Sequence, residues 1–272
     1  MKTRLLILVK TYPTLSTKYD ELVCTAGMKE DSTWIRIYPI PFRKLYFDKK
    51  YAKYQWIECE LERNKSDFRP ETYRPNLDTL KPCEKIETDK SGRWRDRRKL
   101  VLKNVHQNMP QLIADARNKS KYTSLAVFKP KKIIEFITEP VEREWDMQKL
   151  KKIEQNSEQL NLFKEKDNPF KLVNKLPFKF SYVFEDINGT KSKLMIEDWE
   201  IGALYWKELG RYEGDEDRAC ESVRKKYFEN FAKTKDTHFF LGTTREHHLV
   251  GKNPFIIIGV FYPKADDQLE LF

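Results

Sequence analysis

Side-chain catalysis needs acids, bases or metal ligands that converge, and this sequence spaces them thinly. Glu197, Asp198 and Glu200 cluster where a helix is expected to begin, and carboxylates there follow from capping and the helix macrodipole. Asp236 and His238 stand two apart, hence on one face of a strand, whereas the adjacent His247 and His248 point apart in any extended chain. The remaining acids open to a metal-dependent nuclease or nucleotide-processing site are the dispersed Glu58, Glu60 and Asp67. There is no Walker loop, glycine-rich dinucleotide fingerprint, Gly-x-Ser-x-Gly elbow or ordered nuclease acid series. No residue is therefore assigned to catalysis, to a metal or to a cofactor, and a binding protein is expected before an enzyme.

Cations and aromatics are what the sequence holds in quantity. Fifty-two Lys and Arg against 42 Asp and Glu leave a net charge of +10, which favours phosphate polymers and other anionic partners. In the run Trp34 to Ile40, alternation places Ile35 and Ile37 on one face and Trp34, Arg36 and Tyr38 on the other. Facing solvent, that second row would suit stacking of unpaired bases; facing a neighbouring element, it would be packing. The segment Gly92 to Lys99 sets Arg93, Arg95, Arg97, Arg98 and Lys99 around Trp94. That density fits phosphate binding with a steep salt dependence, or else a solvated basic strand or loop, with Asp89 and Asp96 offsetting part of the charge. Lys129, Lys131 and Lys132, and Arg224, Lys225 and Lys226, form lesser patches.

A pentapeptide, Gln-Leu-x-Leu-Phe, occurs twice: as Gln159, Leu160, Leu162 and Phe163, and as Gln268, Leu269, Leu271 and Phe272. Both copies resemble the short peptide by which bacterial replication and repair proteins dock on the sliding clamp. That mode needs a Gln amide for register and Leu and Phe anchors for an apolar pocket. The second copy is the better candidate, because Pro263 to Asp267 reads as a short tether that would let it reach a partner's groove. The first copy follows a helix expected over about Val141 to Ser157 and reads equally as a core segment.

Cys24, Ala26, Gly27, Trp34, Ile35 and Arg36 resemble the opening of dual OB-containing domains, in which a Cys-x-Ala-Gly strand is followed after a short turn by Trp-Ile-Arg. Here Tyr38 to Arg43 runs longer than that family's continuation. The stretches KYDELVCTAG, WIRIYPIPFR, IEDWEIGALYW and HFFLGTTR also resemble an uncharacterised prokaryotic family found near mobile elements and defence genes. The resemblances imply an OB-like barrel at the N-terminal side and a bacterial setting in genome maintenance, mobile elements or defence. The partners they imply are DNA or RNA, single-stranded by preference, the sliding clamp, and a helicase or nuclease. The alternatives are the nuclease or nucleotide-processing effector named above and a sensor subunit of a heteromeric ATPase or helicase complex.

The elements that must position these residues follow from pattern. Strands are expected at 4–9, 22–28, 34–40 and 54–63, then a polar connection broken by Pro70, Pro75 and Pro82. A helix begins near Pro110, with strands at 123–128 and 132–138. A hairpin spans 178–184 and 193–196 about Asn188-Gly189. Asp198 caps a helix that closes at Gly210, a second helix runs over 215–233, and strands at 237–241 and 255–262 end the pattern, the last buried on both faces. With 39% hydrophobic residues, among them 17 Phe, 13 Tyr and 6 Trp, the chain can build a substantial core. The expected fold is a strand-rich α+β protein: an OB-like β-barrel over 1–140, a helical and charged connector over 141–174, an α+β domain over 175–263 in which two helices cover a smaller sheet, and a tail peptide over 264–272. Four well-separated cysteines read as reduced thiols, and the five apolar residues Leu5 to Val9 are too few for a signal peptide or membrane span, so a cytoplasmic protein is expected.

Overall fold

The computed structural model describes residues 2–161 and 171–265, the side chains of 157–161 excepted. Its first half is a ring of strands. Strand β1 (Lys2–Lys10) pairs antiparallel with both β3 (Asp20–Met28) and β5 (Gln55–Arg63). Strand β4 (Trp34–Ile40) pairs antiparallel with β3, and β6 (Thr72–Lys85) pairs antiparallel with β5. The one parallel link, Arg36 opposite Thr72 and Ile37 opposite Tyr73, joins β4 to β6 and returns the pairings to their start. A three-residue strand β2 (Thr14–Ser16) pairs with the start of β3, Asp20 to Leu22, beyond the stretch paired with β1.

The alternation in β1 and β4 explains the ring. Leu5, Ile7, Ile35, Ile37, Ile57, Cys59 and Leu61 fill its inside, while Leu6, Leu8, Ala26, Met28 and Trp56 point outward yet are also buried. Leu5 to Val9 are at most 1% exposed, so both faces of β1 must be covered. At Gly27 an added Cβ would stand 2.2 Å from the Leu6 carbonyl oxygen. Glycine is the residue that lets β1 and β3 approach this closely.

The outer cover is a four-stranded sheet in the order β13 (Phe255–Phe261), β12 (His238–Thr243), β8 (Leu125–Phe128), β7 (Val105–His106). One of its faces sends Leu125, Val127, Phe240, Ile258 and Phe261 onto the ring. The other sends Ala126, Phe128, Phe239, Leu241 and Ile257 into a second core, where each buried Phe, Leu or Ile side chain contributes roughly 1.5–3 kcal/mol. That core is completed by a three-stranded sheet of β9 (Lys132–Pro140), β10 (Phe178–Glu185) and β11 (Lys191–Met195), and by helices α2 (Met109–Arg117), α4 (Trp199–Arg211) and α5 (Glu216–Arg224). Helix α5 continues into a π-helical stretch, Lys225–Ala232. Helices α1 (Arg95–Val101) and α3 (Met147–Asn161) lie in the connections.

The strand-rich α+β class is as expected, with three corrections. Strands β8 and β9 fall within the expected first domain, 1–140, but they pair with β12 and β10 in the second half. The division between the halves therefore falls near residue 104, and the second half holds two sheets. The connection read as broken by prolines is the 14-residue strand β6. Pro82 is accommodated beside a register shift of the β5 pairing, while Pro75 stands opposite Leu61 within its regular run. Among the described residues no helix is long and apolar enough to cross a membrane.

Candidate nucleic-acid interface

The row expected on the outer face of β4 is present but covered. Arg36 is 3% exposed, and its guanidinium donates to Thr72 Oγ1 at 3.1 Å, Ser124 Oγ at 2.9 Å and Ser124 O at 3.1 Å. Glu71 completes the arrangement by accepting from Ser124 N at 3.0 Å and from its hydroxyl at 2.8 Å. Trp34 meets Phe240 edge to face at 5.8 Å. Only Tyr38, at 38% exposure, remains at the surface. The expected solvent-facing row is thus corrected to a joint between the halves: alternation predicts two faces but not what lies beyond each.

The basic segment is likewise a strap. Trp94 enters α1 with φ of 55° and packs against Tyr54, Phe261 and Tyr262 at 5.7, 5.3 and 4.9 Å. Arg97 lies 3.8 Å over the Tyr54 ring and donates Nε and Nη2 to Ile86 O at 2.9 and 2.7 Å. Arg98 pairs with Asp236 at 2.7 Å and donates to Arg93 O and Lys264 O. Lys99 pairs with Asp96 at 2.9 Å, both exposed, and Arg95 is exposed while Arg93 is half-buried. Asp89 accepts the backbone N–H groups of Arg93 and Arg95 and is held below its usual carboxylate range, through the Ser91 hydroxyl first and then those amides. Of the six residues singled out, Trp94, Arg97 and Arg98 are committed to the fold.

The dispersed acids and histidines do not converge. Glu58 pairs with Lys2 at 2.8 Å, Glu60 is exposed, and Asp67 is buried against Arg69 at 2.6 Å. Asp236 is neutralised by Arg98 and Lys129. His238 Nδ1 lies 3.0 Å from the Asp236 carbonyl, and burial pushes its imidazole down to about 4. His248 is buried between Thr243 Oγ1 and the Ala116 carbonyl, each at 2.7 Å, while His247 faces solvent beside Thr244. Among the described residues no group of three or more His, Cys, Asp or Glu is placed to hold a metal ion.

Sequence reasoning missed a charge cluster across the joint. Asp198 caps α4 through Glu200 N at 3.1 Å, as expected, but its Oδ2 is buried without a hydrogen-bond partner among the described residues. Lys53 stands 3.9 Å from that oxygen and 2.7 Å from Glu200 Oε2. Burial raises the Asp198 carboxyl to about 7. Burial also works against the Lys53 ammonium, but the two carboxylates outweigh it and hold the charge on. Lys10, over the rings of Phe42 at 4.3 Å and Trp199 at 5.4 Å, is lowered by burial. With Asp198 at 2% exposure, the cluster is a latch between the halves.

Among the described residues the most exposed aromatics lie in the connection from β4 to β5. Tyr46 is 79% and Phe47 92% exposed, beside the exposed Lys44 and Lys50. The connection is held from beneath by Phe42, Leu45 and Tyr51, which pack into the ring, and by Lys49, whose ammonium donates to the carbonyls of Leu77 and Asp78 at 3.0 Å each. The signal in the sequence was the run FRKLYFDKKYAKY at 42–54, in which aromatics and cations interleave. The expected docking residues Gln268, Leu269, Leu271 and Phe272 lie outside the described residues, as do Leu162 and Phe163. Of the first copy, only the backbone of Gln159 and Leu160 is described, in the last turn of α3.

Residues 105–272 match the family model described as Domain of unknown function (DUF8757). The chain belongs to that family. Residues 1–103 match a second model, Domain of unknown function (DUF8758). The search of the curated proteins finds no match. The two matches meet just after α1, where the pairings divide the molecule, so Arg97 and Arg98 fall in the DUF8758 match while Asp236 and Lys264 fall in the DUF8757 match.

Proposed function

We propose that this protein is a cytoplasmic nucleic-acid-binding adaptor of a bacterial genome-maintenance, mobile-element or defence system, recruited by the DNA sliding clamp. The observation that carries the binding part is the strand order of the ring. Leaving β2 aside, the five strands pair first to second, second to third, third to fifth, fifth to fourth and fourth to first, with the third and fifth parallel. That order supports an OB-type barrel, a fold that binds oligonucleotides and oligosaccharides, and the net charge of +10 favours the former.

An OB fold commonly binds through its second and third strands. Here much of that face is taken up by Trp34 and Arg36 against the second half. The ligand-bearing surface is therefore the part still open: Tyr38, Tyr46 and Phe47 for bases, and Lys50 and Arg95 for phosphates. Exposed rings beside cations suit an unpaired strand, because each stacked base contributes roughly 1–3 kcal/mol without sequence preference. Recruitment rests on the paired QLxLF peptides.

Fluorescence anisotropy of labelled single-stranded DNA, duplex DNA and RNA with the purified chain tests the first part. Saturable, salt-sensitive binding that prefers single strands is expected; no binding at low salt ends the proposal. For recruitment, calorimetry with a bacterial sliding clamp should lose its signal when Gln268 to Phe272 are deleted, and undiminished binding would remove the clamp from the scheme.

A further inference from the structure

Helix α4 turns one face toward a cavity of about 380 Å³ between the two halves. Trp199, Ala203 and Trp206, at positions i, i+4 and i+7, form that wall. Tyr12 and Arg43 from the first half form another, and the backbone and side chains of 171–174 form the rim. Gly202 makes the wall possible: a Cβ there would stand 2.3 Å from the Tyr12 ring, so glycine lets the tyrosine lie against α4.

The polar ends of these aromatics are engaged with one another. Trp206 Nε1 donates to Tyr12 Oη at 2.8 Å, and the Tyr12 hydroxyl donates to Asn174 O at 2.7 Å. The rings are thereby fixed in place. Arg43 Nη1 pairs with Glu21 at 2.8 Å and its Nη2 donates to Lys171 O at 3.1 Å, which holds the guanidinium at the wall. Glu21 offsets part of that charge from outside the lining, while the lining itself includes Arg43 and Lys171 and no carboxylate.

We propose that this cavity is a subsite for one nucleotide unit, whose base lies against the indoles of Trp199 and Trp206 and whose phosphate faces Arg43 and Lys171. Ligand cavities run from about 300 to 1,000 Å³, and this one, at the small end, suits a single base with its sugar phosphate. Indole faces accept any base, and the Lys171 ammonium, beside an Arg43 that Glu21 partly offsets, makes a wall without carboxylates favour an anionic ligand. The unit is either a free mononucleotide or one residue of a bound strand; in the second form the proposal rests on the nucleic-acid reading above.

Ala203 is exposed on the helix, so Ala203→Trp fills the cavity without opening a core, and an unchanged melting curve verifies the fold. Calorimetry of the full chain with nucleoside 5′-monophosphates should show saturable binding that Ala203→Trp weakens by ~tenfold or more, the loss expected for one stacked base. Lys171→Gln should weaken the monophosphates while leaving the uncharged nucleosides unchanged. If Ala203→Trp also weakens binding of a short oligonucleotide, the unit belongs to a strand; if it weakens only the monophosphates, the unit is free. Monophosphates that bind a chain with no affinity for oligonucleotides support the cavity while ending the nucleic-acid reading. Wild-type protein that binds no monophosphate, and whose oligonucleotide affinity is untouched by Ala203→Trp, overturns the cavity and leaves that reading standing.

Discussion

Two regions of this molecule both interleave aromatics with cations and have opposite fates. Trp34, Arg36, Trp94, Arg97 and Arg98 are buried or half-buried in contacts of the fold, where each guanidinium meets carbonyls, hydroxyls, a carboxylate or a ring. Tyr46, Phe47 and Lys50 stand in water on a connection whose neighbours are buried, beside Lys44 paired with Asp20. The difference teaches that a dense row of arginines and aromatics is as well suited to joining two bodies as to holding a nucleic acid. Arginine serves the joint because its planar fork satisfies several acceptors at once and stacks on rings.

The sharpest way to break that comparison is at its buried member. Arg36→Met removes three hydrogen bonds and leaves Ser124 O and Thr72 Oγ1 without their partner, so the unfolding free energy should fall by about 3 kcal/mol in urea titrations. The folded fraction should still bind oligonucleotide as the wild type does. A variant of full stability that has lost binding would return Arg36 to the ligand surface.

His238 sharpens the joint through pH. Its folded value of about 4 lies below the ordinary 6.5, with burial as the main cause. Between these values the unfolded chain holds a proton that the folded chain does not. The stability it contributes is thus present above pH 6.5 and lost as pH falls toward 4, by up to about 3 kcal/mol. His238→Gln should flatten that decline relative to wild type in denaturation curves taken across the window, and parallel curves would contradict it.

At the exposed member, Phe47→Ala should leave stability within about 0.5 kcal/mol and weaken single-strand binding by roughly 1–3 kcal/mol. An unaffected anisotropy titration would remove the connection from the interface. The smallest effect is on salt dependence. Lys50→Gln should reduce the slope of log affinity against log salt by about 1, whereas Arg98→Gln should leave it unaltered among folded molecules. The reverse pattern would exchange the roles of the two regions.

Much of the architecture was legible because period and capping are local. Strand β4 begins and ends where alternation placed it, Asp198 caps α4, and the hairpin turns at Asp186 to Gly189. Strand β6 was not legible, since prolines argue against ladder bonds; a register shift of β5 makes room beside Pro82, while Pro75 stands opposite Leu61 in the regular run. The site was read less well, because alternation reports two faces and cannot say which is wet. One clue was available: Leu5 to Val9 is apolar at every position, which in a ring demands a second covering layer. Following it would have placed an apolar surface over β1 and cast doubt on the neighbouring Trp34 and Arg36 as ligands. The Lys53 and Asp198 latch joins residues from opposite halves, and no local pattern announces such a pair.

Strand β12 sends Phe240 one way and Phe239 and Leu241 the other. It is a partition wall with tenants on both sides, and neither tenant can be evicted alone. Cleaving the chain near residue 104 would strip the shelter from Leu6, Leu8 and Trp56 on one fragment and from Phe240 and Phe261 on the other, so each piece would emerge sticky. A protein carrying either half by itself would need a substitute lodger against that wall.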